Sequence, residues 1–163
     1  MEHIRAMEEH FSSLRELVQE SIVGALRIDF LPSETEFGPD GTEGLVVQAC
    51  MPVDENTCQP FGFLSGGASL ALAETLAGYG SMLLLEQGLR PLGASVSANH
   101  VSALAKGSLA LGIARPLHLG RSTHVWNVDI VEYGCEDHLV STARVLNHIL
   151  PKPQARPCGE GHN

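Results

Sequence analysis

The sequence predicts a single α+β domain in which a curved antiparallel sheet of about six strands wraps a long central helix, with an extra N-terminal helix. Three observations predict it. Gly66–Leu85 is a run of apolar and small residues with a single formal charge, as expected of a helix buried on most sides. Four strand-like runs follow it, joined by short connections that imply antiparallel pairing. The 163 residues, 44% hydrophobic and 18% charged, suffice for one core, and no internal repeat divides them. The expected division is an N-terminal helix over 1–23, the main domain over 24–150 and a loose tail over 151–163.

Ile4, Met7, Phe11, Leu14 and Val18 recur at helical spacing and predict an amphipathic helix ending before Gly24. Ala25–Leu31 reads as a strand closed by Pro32. Ser33–Gly44 is turn-rich, with Asp40–Gly41 as a hairpin signal, and Leu45–Met51 is the returning strand. Pro52–Gly62 is a loop feeding the apolar helix, and Gly88 and Pro91 are its stop signals. One face of the next strand carries Ala94, Val96, Ala98, His100 and Ser102. Ser108–Arg115, Thr123–Glu132 and Leu139–Leu150 complete the set, with turns at Lys106–Gly107, His118–Gly120 and Tyr133–Asp137.

Composition excludes several functions. A formal net charge of −9 argues against a double-stranded nucleic acid partner, which needs a basic face, but leaves room for an anionic small ligand held by a few local cations. Cys50, Cys58, Cys135 and Cys158 form no CxxC pair and no zinc spacing, and the N-terminus has no apolar signal region. Free thiols in a reducing cytoplasm are expected. Gly66–Leu85 is about as long as a membrane span, but its central Glu, its four glycines and the lack of flanking basic residues reject that reading. There is no P-loop, GxGxxG or GxSxG. His118 and His124 have no supporting carboxylate or thiol at metal-ligand spacing and read as surface-loop residues. Trp126 reads as core.

Glu74 is the informative residue, because an uncompensated buried carboxylate costs several kcal/mol and tends to hold its proton more tightly. On a helical wheel Gly67, Ala71, Glu74, Gly78 and Ser81 share one stripe, while Leu72, Leu76 and Leu83 can face the sheet. The small stripe leaves room for a ligand or for close backbone packing. A structural carboxylate with an unseen partner is one reading. The Gly66–Gly67 pair at the helix start supports another, since free amides there attract developing negative charge. A curved sheet also leaves edges whose pairing predicts a homodimer or homotetramer.

The segment Gln59–Leu76 (QPFGFLSGGASLALAETL) resembles the active-site segment of hotdog-fold acyl-CoA thioesterases. SANHV from Ser97, LHLGRSTHVW from Leu117 and TARV from Thr142 are similar to later strands of the same group. The resemblance covers roughly Ala25–Leu150 and is greatest to the 4-hydroxybenzoyl-CoA type, including hydrolases of 1,4-dihydroxy-2-naphthoyl-CoA and the proofreading thioesterase of enterobactin synthesis. It implies hydrolysis of an acyl-CoA, with an aromatic or small acyl group, and no metal or redox cofactor; CoA arrives with the substrate. It implies Glu74 as nucleophile or general base, the Gly66 N–H as oxyanion donor and Gln59 near the acyl group. Gly93, His100, Val101 and Ser102 would line the substrate channel, and His118, Gly120, Arg121, Ser122 and Thr123 would hold the CoA nucleotide.

Two positions depart from the family pattern. Relatives commonly carry His before the glycine pair, where this chain has Ser65, and Ser or Thr where it has Gly78. These departures favour the rival reading, a non-catalytic or weakly catalytic binder of acyl-CoA or aromatic ligands. A hotdog dehydratase would need a His–acid motif that the sequence lacks.

Overall fold

A computed structural model describes residues 18–37 and 43–152, together with Ile4, Ala6 and Glu9. A single helical turn, α1 (Ile22–Ala25), comes first. The Ser21 hydroxyl caps it by accepting the Val23 N–H at 3.2 Å. It closes through Arg27, which takes φ 55°. The Arg27 N–H reaches the Gly24 carbonyl at 3.0 Å and the Ile28 N–H the Val23 carbonyl at 2.8 Å, the paired bonds of a Schellman motif.

This corrects the strand predicted over Ala25–Leu31, of which only β1 (Asp29–Phe30) pairs. Of the predicted amphipathic helix, Ile4 and Val18 pack against the core. Met7, Phe11 and Leu14 lie outside the described residues, as do the Asp40–Gly41 turn and the tail from 153 onward.

The remaining elements are β2 (Glu34–Phe37), β3 (Glu43–Pro52), α2 (Gly66–Leu84), β4 (Leu89–His100), β5 (Leu109–Leu119), β6 (Thr123–Glu132) and β7 (Cys135–Pro151). The sheet order is β1-β3-β5-β6-β7-β4, antiparallel throughout, with β2 also on β3. Arg115 on β5 ties β2 down through a two-bond fork to Glu36, at 2.7 and 2.8 Å.

Leu72, Leu76 and Leu83 are fully buried, as the helical wheel predicts, in a core shared with Trp126, Met51 and Val128. Glycine lets helix and sheet meet closely. A Cβ on Gly80 would stand 2.5 Å from Trp126 Cη2, and one on Gly112 would run into Leu76.

Two boundaries differ from expectation. Gly88 does not cap α2; the helix ends at an extended Leu85, and Gly88 supplies φ 91° to the turn beyond. Glu132 pairs with Cys135 across a two-residue turn with Gly134 at φ 80°, so β7 starts before the predicted Leu139. β4 ends the sheet, and Pro91, which lacks a ladder donor, is accommodated on that edge.

Candidate active site

The start of α2 presents a cluster of backbone donors. Ser65 occupies the N-cap with an extended backbone, yet its hydroxyl makes no capping bond. The first helical bond runs from the Ser69 N–H to the Ser65 carbonyl at 3.0 Å, so the amides of Gly66, Gly67 and Ala68 lack helical acceptors. His100, the last residue of β4, lies against this terminus. A Cβ on Gly66 would stand 2.7 Å from His100 Nε2. The buried Ser141 hydroxyl lies 3.1 Å from His100 Nδ1 and fixes the ring's other side.

Glu74 is exposed in the chain, which corrects the expectation of a buried carboxylate. The helix buries its leucine face on the sheet, and its small-residue stripe faces away. Glu74 is nonetheless placed. It reaches across to β4, where a Cβ on Gly93 would collide with Glu74 Oε1. A register shift between Gly93 and Ser95 bends β4 at this point.

A cavity of about 370 Å³ opens beside Glu74. Ala71, Thr75, Gly78, Tyr79 and Met82 of α2 form one side, and Pro91, Phe30, Ile22 and Val23 the other. Gly78 leaves open space, since a Cβ there would meet nothing within 4 Å. The contribution of α1 and β1 was not legible in the sequence, where the chain around Ile22 and Phe30 carries no motif.

Other predicted residues fall elsewhere. Gln59 Oε1 accepts the Phe61 N–H at 2.7 Å, which braces its loop and leaves the Nε2 donors of the amide for another partner. Ser81 leaves the open stripe and is fully buried. It accepts from Trp126 Nε1 at 2.9 Å and Asn147 Nδ2 at 3.1 Å, and lies 3.1 Å from His124 Nδ1. With both acceptor positions of its oxygen used, the Ser81 proton goes to His124, whose ring proton is then on Nε2. His124 is thus a buried network residue and not a surface-loop one, and burial, with His118 nearby, lowers its pKa.

Exposed Val101 and Ser102 continue from β4 and stay tied to β7, the Ser102 hydroxyl donating to the Leu139 carbonyl and the Val101 N–H to the Val140 carbonyl at 2.9 Å. Gly93, Asn147 and His124 are in register across β4, β7 and β6. The turn with exposed His118, Arg121 and Ser122 therefore starts two strands from the Glu74 contact, about 10 Å away. In that turn the His118 ring covers Gly120, whose N–H bonds the Thr123 carbonyl at 2.9 Å.

Among the described residues no helix is long and apolar enough to cross a membrane. The sequence profile of the thioesterase superfamily matches residues 61–145. The proofreading thioesterase EntH of Cronobacter sakazakii is 42% identical over 105 residues, spanning 64% of this chain and 74% of that protein. The 1,4-dihydroxy-2-naphthoyl-CoA hydrolase of Escherichia coli is 38% identical over 104 residues, with the same 64% and 74% spans. In three dimensions, a thioesterase from Haemophilus influenzae superposes with a TM-score of 0.71 at 34% identity, covering 88% of this chain and 92% of that one. The superfamily profile takes in over half of the chain and the relatives align across the curved sheet and its central helix, so the chain belongs to the thioesterase superfamily, as a thioester hydrolase of hotdog fold.

Proposed function

We propose that the protein hydrolyses acyl-CoA thioesters in a site shared between two copies of the chain, with Glu74 as the reacting carboxylate. The observation that supports sharing is a separation. Gly66 and Glu74 are eight residues apart on α2, and at ~1.5 Å per residue they stand about 12 Å apart along its axis. One thioester carbonyl cannot touch both, because each contact needs about 3 Å. Glu74 of one copy therefore works with Gly66 of a second, and the exposed β4 edge is the surface on which the copies pair.

In that site the Gly66 N–H polarises the thioester carbonyl. Glu74 takes a proton from water as hydroxide adds to the carbon, or attacks the carbon itself to give an anhydride that water then opens. The C–S bond breaks and the CoA sulfur leaves with a proton. No metal or redox step is required. Val101, Ser102 and the 118–123 turn hold the CoA chain and nucleotide, with Arg121 as the phosphate partner. The acyl group is aromatic or small.

Thiol release from a panel of CoA esters tests the activity. Glu74→Gln is expected to lower kcat by at least about 100-fold with an unchanged melting temperature, because the side chain is exposed. Full activity in that variant overturns the role. Sharing is tested by mixing Glu74→Gln with the impaired Gly66→Ala and looking for a gain in activity over either variant alone. A shared site restores one intact centre per hybrid dimer, whereas a site within one chain restores none. The rival reading, a binder without turnover, is favoured by Ser65 in place of the usual His and by the missing hydroxyl at Gly78. It predicts ligand binding with no thiol release from any ester.

A further inference from the structure

We propose that the N-terminal segment carrying Ile22, Val23 and Phe30 sets acyl specificity by forming the far wall of the cavity beside Glu74; this rests on Glu74 being the reacting carboxylate. All three residues precede residue 61, where the superfamily match begins. They line the cavity whose opposite side is the Glu74 stripe of α2. An acyl group whose carbonyl is at Glu74 must extend into this space.

The wall is built and fixed. Phe30 meets Tyr79, which also lines the cavity, with ring centroids 4.2 Å apart and tilted by 40°. Val23 and Ile28 are buried, anchoring α1, while Ile22 leaves 56% of its surface open. Arg27 holds the turn that ends α1 by ion-pairing with Asp54 in the loop before α2. The segment is thus tied by the burial of Val23, by this ion pair and by the β1–β3 pairing.

Size and charge follow from the lining. A cavity of roughly 150 Å³ lined by aliphatic and aromatic groups holds benzene. The space here, about 370 Å³, has room for a two-ring or comparably bulky acyl group. Among the described residues Glu74 is the only charged one lining it, so an acyl group bearing a second carboxylate would meet like charge and no cation there. A short acyl group would leave Ile22 wet and the cavity unfilled. The segment thus selects bulky, uncharged, apolar acyl groups.

The test compares 1-naphthoyl-, benzoyl-, acetyl- and succinyl-CoA on the full chain and on Ile22→Trp and Ile22→Ala. Ile22 is half exposed, so both variants are expected to fold. The wild type should turn over naphthoyl-CoA best and succinyl-CoA worst. Ile22→Trp fills the space and should lower the naphthoyl-to-acetyl ratio of kcat/KM by at least about tenfold, the scale on which apolar pockets discriminate. Ile22→Ala should shift that ratio by less than the Trp variant. A ratio unchanged within about twofold in Ile22→Trp overturns the proposal. Calorimetric binding of naphthoyl-CoA to Glu74→Gln, with and without Ile22→Trp, separates the two readings. If no ester is hydrolysed but the Trp change weakens binding at least about fivefold, the catalytic reading fails and the wall stands. If esters are hydrolysed and binding does not change, the wall fails alone.

Discussion

The imidazole of His100 lies over Gly66, close enough that a Cβ on the glycine would stand 2.7 Å from Nε2. The two residues are 34 positions apart and meet because β4 runs under α2 and ends at the helix's first turn. Ser141, buried on β7, meets the far side of the ring. The paired glycines at the helix start are therefore not equivalent. Gly66 makes room for an imidazole, whereas a Cβ on Gly67 would meet only Ser65 Oγ at 3.6 Å.

Gly66→Ala is expected to rotate His100 off the helix terminus and lower kcat/KM by roughly 10- to 100-fold, the scale on which small displacements act in active sites. The fold should survive, since a surface ring can move. Gly67→Ala adds an ordinary contact and should change activity by less than about twofold. Steady-state kinetics on both variants decide it, and equal losses would show that the His100 contact is immaterial.

A second glycine pair separates stability from space. Gly78→Ala places its Cβ in open space within a helix, and the gain in helix propensity is about 0.5–1 kcal/mol, raising Tm by a few degrees. Gly80→Ala drives a Cβ to 2.5 Å from the fully buried Trp126, and overpacking of that kind costs roughly 1–3 kcal/mol. Thermal melts should therefore move in opposite directions, and shifts of the same sign would overturn this account.

Much of the frame was legible in the chain, because its signals are local. The apolar run opened by Gly66–Gly67 becomes α2, and Thr123–Glu132 becomes β6 with those bounds, its alternation matching a sheet with one covered face. Local signals also misled. Ile28 and Phe30 favour a strand and Ala25–Leu31 read as one, but the capping hydroxyl of Ser21 and a left-handed Arg27 carry a helical turn through Ala25 and leave only Asp29–Phe30 to pair. The exposure of Glu74 was illegible because a stripe of small residues does not say whether anything covers it. The Ser81–His124–Trp126–Asn147 network joins residues up to 66 positions apart, and no spacing rule links them. Gln59 was placed by resemblance alone, and the bond its Oε1 accepts from the Phe61 N–H follows from the fold of its loop and from no spacing rule.

That network gives the protein an acid-sensitive point. His124 is buried and neutral, accepting the Ser81 proton at Nδ1. Burial, and then the charge of His118, hold its pKa below the ordinary 6.5. In the unfolded chain it titrates near 6.5, so just below that pH the unfolded state binds more protons than the folded state. Stability is therefore complete above about pH 6.5 and falls as pH drops from there toward the folded-state pKa, where the loss stops. A protonated His124 would turn a third N–H donor on Ser81, whose oxygen already accepts from Trp126 and Asn147. The slope from one proton is at most about 1.4 kcal/mol per pH unit. His124→Asn keeps an acceptor near the Nδ1 position and removes the titration. Urea unfolding midpoints between pH 5 and 8, compared for the wild type and this variant, should show the wild type losing more stability on acidification. Parallel curves would mean that His124 protonates without cost and that Ser81 can turn its hydroxyl to another acceptor.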